Sequence, residues 1–226
     1  MAGAVDAALF DWSGTLVDDL DAVWRTNDQT LMSFGVPHQD VETFREKFIL
    51  PWQSFYGLYG LRSAEALKEV DSRFWKIYGP LSLEIRPFPG TVPMLTRLKS
   101  KGIKTGIVTQ TKRGPLLEQI ERFGLAKLID ATVGAEDADE LKPSPKPVLA
   151  ALERLGVDAG GAVFTGDMVE DIVAGKSAGV QVISIVQKGS YGTEQKVKSG
   201  GPFRIAHDLD EVADIILGIR RRLTAP

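Results

Sequence analysis

Four short stretches of this chain carry side chains that phosphate chemistry uses. The first, Asp11-Trp12-Ser13-Gly14-Thr15, follows an apolar run and places a carboxylate ahead of a glycine-containing turn. A carboxylate attacking phosphorus needs backbone N–H groups nearby to hold the phosphoryl oxygens, and Gly14 permits the close approach and unusual dihedrals this requires. In the second stretch, Thr109 offers a hydroxyl donor to a phosphoryl oxygen, with Gln110 beside it. In the third, Lys142 sits on a loop stiffened by Pro143 and Pro145, where its charge would offset phosphate and carboxylates. The fourth, Gly166-Asp167-Met168-Val169-Glu170-Asp171, sets two acids four residues apart, at helical spacing. Mg2+ prefers oxygen ligands and takes one or two carboxylates plus water and phosphate. Asp11 and Asp167 would supply them, with Asp171 supporting.

Each residue also has an ordinary explanation. An aspartate after a strand is often a turn former. Thr109 suits a strand end as a β-branched residue, Lys142 suits solvent, and acids suit the dipole at a helix start. Their order, each at the end of a predicted strand, favours a site.

The elements that must position them follow from hydrophobic periodicity. Strands are predicted over 5–10, 103–109, 131–134, 162–165, 180–186 and 204–206, and helices over 115–123, 145–155, 169–178 and 208–219. This alternation predicts an α/β fold with a doubly wound parallel, Rossmann-like sheet. Active sites in such sheets lie beyond the carboxyl ends of the strands, which is where Asp11, Thr109, Lys142 and Asp167 fall. Between about Leu20 and Tyr78 the apolar spacing turns helical and no strand is convincing. The organisation expected is therefore a core of residues 1–17 and 87–226 with an inserted all-helical domain, 18–86, of about four helices.

Composition bounds the chemistry. The 226 residues have a formal net charge of -3 and no cysteine. The first argues against nucleic-acid and anionic-membrane partners; the second excludes thiol catalysis, disulfides and cysteine-zinc sites. His38 and His207 are the only histidines, and neither lies in a recognisable motif. Arg220-Arg221-Arg222 reads as a solvated helix terminus. The first ten residues lack a basic start and a secretory apolar core, and no membrane-spanning apolar run follows, so a cytoplasmic protein is the default expectation.

The four stretches together resemble the four motifs of haloacid dehalogenase-type hydrolases, in order and across nearly the whole chain. The helical insert resembles the small cap of the phosphoglycolate phosphatase-like and β-phosphoglucomutase-like branch. The most specific matches are Leu141 to Leu155, Gly166-Asp167, and Ala174-Gly175-Lys176-Ser177-Ala178-Gly179-Val180. The resemblance implies a hydrolase of a small phosphorylated metabolite that forms an aspartyl-phosphate on Asp11. It implies Mg2+ held by Asp11, the Ser13 carbonyl and Asp167, phosphate bound by Thr109 and Lys142, and a monomer or homodimer. Two departures stand out. Ser13 occupies the place of the family's second aspartate, the general acid and base, and Gln110 that of an asparagine.

Ser13 opens three readings. One is a phosphatase that is slow, or relies on another acid (Glu170, Asp18 or Asp19) or on an acidic leaving group, although Asp18 and Asp19 also suit capping of the first insert helix. A second is a carbon–phosphorus hydrolase resembling phosphonoacetaldehyde hydrolase, with Lys47 as the Schiff-base lysine. A third is a catalytically quiet binding protein on the same fold. A magnesium-independent 2-haloacid dehalogenase fits less well, because Gly166-Asp167 is kept. The insert is expected to choose the substrate. Trp24, Arg25, Arg45, Lys47 and Tyr56 are candidates there, and Trp52 and Gln53, in a presumed loop between two helices, are the preferred pair.

Overall fold

The computed structural model describes residues 5–219. The arginine run at 220–222 lies outside them. Two compact units form: residues 18–86 are one, and the segments on either side of them are the other.

In the larger unit, β1 (Ala7–Phe10), β4 (Lys104–Val108), β5 (Ala131–Val133), β6 (Ala162–Gly166), β7 (Gln181–Ile185) and β8 (Arg204–Ala206) form one sheet in the order β5-β4-β1-β6-β7-β8. Every neighbouring pair is parallel. Two-residue strands, β2 (Val17–Asp18) and β3 (Arg86–Pro87), make a separate pair where the chain passes between the units. β1 is central, and the chain later places β4 on one side of it and β6 on the other. That reversal is where a doubly wound sheet opens a crevice beyond its strand ends. Registers of Phe10 opposite Ile107 and opposite Thr165 bring Asp11 level with the last residues of β4 and β6.

The strands read as continuous apolar runs because both faces are covered. On one face Leu9, Val108, Val133, Phe164 and Val182 pack with Val148, Leu152 and Leu155 of α7 (Lys146–Leu155) and Ile172 of α8 (Val169–Ser177). Two core helices fall outside the predicted set, α5 (Thr91–Ser100) and α9 (Glu194–Gly200). Lys and Ser fill much of α9, which buries only Val197, so its apolar period is nearly silent. α5 presents Met94, Leu95 and Leu98 to the interior at a clear helical spacing, which the proline- and glycine-rich approach to it obscures.

The smaller unit holds α1 (Leu20–Met32), α2 (Val41–Lys47), α3 (Trp52–Gly57) and α4 (Ala64–Ser82), with no strand of the main sheet. Its interior is an aromatic cluster: Phe44 lies 4.9 Å from Phe48 and 5.6 Å from Phe55 between ring centroids. Trp24 and Trp75 are half-buried and donate to Gln39 O and Asp71 Oδ1. Pro51-Trp52-Gln53 is not a loop; it starts α3, with Trp52 edge-on to Tyr56 and Gln53 exposed. Asp19 takes the N-cap position of α1 without a side-chain capping bond. No helix among the described residues is long and apolar enough to cross a membrane.

Candidate active site

Asp11 leaves β1 with its N–H donated to Thr165 O at 2.8 Å, so the parallel pairing continues one residue past the strand and fixes the backbone. Successive side chains then diverge. Trp12 turns into the interior, stacking on Phe123 and donating Nε1–H to Gln119 Oε1 at 2.6 Å. Asp11 turns the other way, to Lys142.

Lys142 Nζ donates to Asp11 Oδ1 at 2.6 Å, Asp171 Oδ1 at 2.6 Å and Val108 O at 3.0 Å. These three bonds use all the protons of an ammonium. Only 3% of its side-chain surface is exposed, so the partners replace water completely. Gln110 sends its amide Nε2–H to Lys142 O at 3.2 Å, tying the loop after β4 to the lysine loop. Thr109 is buried; its Oγ1 accepts from Thr111 N–H and contacts Thr111 Oγ1 at 3.1 Å.

The acids of the fourth stretch are equally committed. Asp171 gives its second oxygen to Met168 N–H at 3.0 Å, closing the start of α8. A side chain at Gly166 would overlap the Asp171 carboxylate, so the glycine before Asp167 is the space Asp171 occupies. Asp167 Oδ1 accepts from Thr15 Oγ1 at 3.1 Å, and its Oδ2 from Tyr191 N–H at 2.6 Å and Gly192 N–H at 3.4 Å. Gly14 has φ +73°, and a Cβ there would stand 2.5 Å from Asp167 Oδ2, so both its dihedral and its neighbour demand glycine.

Asp11, Asp167 and Asp171 each offer an oxygen, and the three lie within 4.8 Å of one another in a buried group. Burial pushes the Asp11 carboxyl up to about 7; Lys142 opposes the rise and Asp171 adds to it. Asp167 is raised well above the usual carboxylate range by burial, then by the charges of Asp11 and Asp171, against the pull of Tyr191 N–H. Burial would lower Lys142, but Asp11 and Asp171 override it and hold the ammonium above its ordinary value. One ammonium among three carboxylates leaves a surplus of negative charge out of water, which a divalent cation would offset. The oxygen-only donor set suits Mg2+. Gly14 N–H and Val17 N–H bond around Ser13, to Val17 O and Trp12 O, and the Ser13 carbonyl receives no backbone donor among the described residues. These residues fit such an ion.

The family model for haloacid dehalogenase-like hydrolases matches residues 8–185, a span that includes Asp11, Gly14, Thr109, Lys142, Asp167 and Asp171. The chain belongs to this family.

Among relatives of this haloacid dehalogenase-like hydrolase, a phosphoglycolate phosphatase from Rhodospirillum rubrum is 30% identical over 220 residues, covering 92% of this chain and 89% of that one. A pyrophosphatase, PpaX, from Bacillus velezensis is 30% identical over 186 residues, covering 80% and 83%. A crystal structure of a predicted phosphatase from Clostridium acetobutylicum has the same fold, with a TM-score of 0.85, 21% identity and coverage of 96% and 100%.

The hydrolase's core thus brings Asp11, Gly14, Lys142, Asp167 and Asp171 together, with Ser13, Thr109 and Gln110 on the same loops. Trp52 and Gln53 belong to the other unit. So does Lys47, which is exposed, donates to Gln39 Oε1 at 3.0 Å and lies over the Tyr59 ring. That setting lacks the apolar pocket that activates a Schiff-base lysine. His207 sits with Glu194 and Glu211 in an exposed group. Thr15, part of the first stretch but given no role there, completes the site together with residues the sequence does not mark: Gln187, Ser190, Tyr191 and Gly192 after β7. The signal was faint, a turn carrying Gly189 and Gly192 past a strand end, 24 residues from Asp167 and in no motif with it.

Proposed function

We propose that this haloacid dehalogenase-like hydrolase is a magnesium-dependent phosphatase of small phosphorylated metabolites, working through an aspartyl-phosphate on Asp11. The observation that carries the reading is the buried ammonium of Lys142, bonded at 2.6 Å to both Asp11 and Asp171 with Asp167 alongside. A purely structural lysine has no reason to gather three carboxylates beside the one sheet position where a crevice opens.

In the first step an Asp11 carboxylate oxygen attacks phosphorus. An O–P bond forms, the bond from phosphorus to the leaving oxygen breaks, and the electron pair departs with that oxygen. Water then attacks the same phosphorus, releasing inorganic phosphate and restoring the carboxylate. Lys142 holds Asp11 in place and places positive charge where the phosphoryl oxygens gather negative charge. Asp171 orients Lys142. Thr109 supplies a hydroxyl donor to the phosphoryl oxygens. Asp11, Asp167 and the Ser13 carbonyl would hold magnesium, with Asp171 supporting; the ion supplies charge neutralisation and an oriented, polarised phosphoryl group. The names of the relatives suggest phosphoglycolate and pyrophosphate as first substrates.

The test is release of inorganic phosphate from a panel that includes phosphoglycolate, pyrophosphate, alkyl and aryl phosphates and phosphonoacetaldehyde. Turnover of a phosphoryl ester or anhydride that chelator abolishes and Mg2+ restores is the expected result; full activity with chelator present overturns the metal assignment. Turnover of phosphonoacetaldehyde alone would replace the phosphatase reading. Silence across the panel would leave the binding-protein reading. Asp167→Asn removes a charge while keeping a near-isosteric acceptor, and we expect it to raise the Mg2+ concentration for half-maximal activity by about 10–100-fold. A magnesium titration curve unchanged from wild type would remove Asp167 from the ligand set.

A further inference from the structure

The turn after β7 makes a set of bonds that the chemistry above does not use. Gln187 and Ser190 close it on themselves: Ser190 N–H donates to Gln187 O at 3.0 Å and Gln187 N–H to Ser190 Oγ at 3.2 Å. From this turn two side chains reach the loop that follows Asp11. Ser190 Oγ–H donates to Gly14 O at 3.0 Å, and Gln187 Nε2–H donates to Thr15 O at 3.0 Å. The next two residues reach the other side of the site, where Tyr191 N–H and Gly192 N–H both point at Asp167 Oδ2. Ser190 is wholly buried, Tyr191 nearly so, and a side chain at Gly192 would overlap the Asp167 carbonyl. Within six consecutive residues, two therefore grip the nucleophile loop with side chains and two hold the Asp167 carboxylate with backbone donors.

We infer that residues 187–192 are a positioning strap that sets the spacing between the Asp11 loop and Asp167, and so tunes the affinity of the site for a divalent cation. The inference rests on the magnesium site proposed above. Its physical basis is the intolerance of Mg2+: the ion demands short, near-octahedral oxygen contacts, so a shift of a few tenths of an ångström between carboxylates costs binding. Groups that hold metal ligands in place commonly govern affinity as strongly as the ligands do. Neither Gln187 nor Ser190 supplies an atom to the buried carboxylate group, so both act through the residues they hold.

Isothermal titration of the full chain with MgCl2, without substrate, tests this, together with the magnesium dependence of turnover. Ser190→Ala removes the hydroxyl relay and is expected to weaken Mg2+ binding by about 10-fold or more. The accompanying loss of turnover should be recovered by raising magnesium. Gln187→Met, at a half-buried position and nearly isosteric, removes only the bond to Thr15 O and should weaken binding in the same sense; it keeps the inference testable if Ser190→Ala folds poorly. Folded variants of both with wild-type Mg2+ affinity would overturn the strap. A loss of turnover that no magnesium concentration restores would also overturn it, because the segment would then act on chemistry rather than on the ion. Wild-type protein that takes up no Mg2+ would instead refute the metal site on which the strap depends, and the first titration separates the two failures.

Discussion

Asp11→Asn is expected to lower phosphate release by at least about 10⁴-fold, equivalent to roughly 5 kcal/mol of transition-state stabilisation. The substitution keeps the shape of the side chain and an oxygen for Lys142, so the bond now made at 2.6 Å has a successor. What it removes is the charged oxygen that attacks phosphorus, and an amide is a far poorer nucleophile. Rapid acid quench of the wild-type enzyme during turnover should give protein heavier by one phosphoryl group, located on the peptide containing Asp11 and absent from the variant. Residual turnover above about 1% of wild type in a folded Asp11→Asn protein would mean that Asp11 is not the nucleophile, since loss of a nucleophile costs orders of magnitude more. The placement of Asp11 argues against that. It is buried, its backbone is pinned to Thr165 O, and its carboxylate is held by an ammonium with no unassigned proton.

Ser13→Asp is expected to act in the opposite direction, raising turnover of an alkyl phosphate by about 10²–10⁴-fold, the usual worth of general acid–base catalysis. Ser13 stands two residues beyond Asp11 and is half-buried, and a hydroxyl there is too weak an acid to protonate a departing alkoxide. The ionisable groups nearest Asp11 are already spent: Lys142 on three acceptors, Asp171 on Lys142 and Met168 N–H, and Asp167 on Thr15, Tyr191 and Gly192. The wild-type enzyme should therefore favour leaving groups that depart as stable anions. Across a series of aryl phosphates its kcat/KM should climb steeply as the phenol becomes more acidic, and in Ser13→Asp the same plot should flatten. A shallow wild-type slope would show that a proton donor does reach the leaving oxygen. A folded Ser13→Asp protein with unchanged or lower turnover would mean that serine suits a different chemistry at this position.

The chemistry-bearing positions were legible because each is tied to a strand end, and strand ends are marked by where an apolar run stops. Asp11 follows an apolar run directly and Asp167 follows one across Thr165-Gly166, and parallel pairing carries both to one edge of the sheet. Gly14 and Gly166 were visible as glycines, but their reasons are not local: one must clear Asp167 Oδ2, the other the Asp171 carboxylate. Gln110 stands out in the sequence only as the neighbour of Thr109; its amide donates to Lys142 O, a partner 32 residues away that no local pattern names. Trp52 and Gln53 read as a loop because they lie between two predicted helices; Pro51 also suits a helix start, and α3 begins there. α9 escaped notice because one buried valine leaves no period to count.

The sequence by itself determined the alternation of strands and helices, the helical character of residues 18–86, and the four chemical positions in their order. These depend on periodicity and on residue type, which are properties of neighbours along the chain. Tertiary structure alone decided which oxygen each donor meets. Lys142 lies 131 residues from Asp11 and 29 from Asp171, and its commitment to both follows from the order β5-β4-β1-β6 rather than from any local pattern. The turn at 187–192 is the clearest case. Its residues carry no chemical signature, and they join the site only because β7 pairs with β6 and ends beside Asp167, where two backbone N–H groups find a buried carboxylate in need of donors.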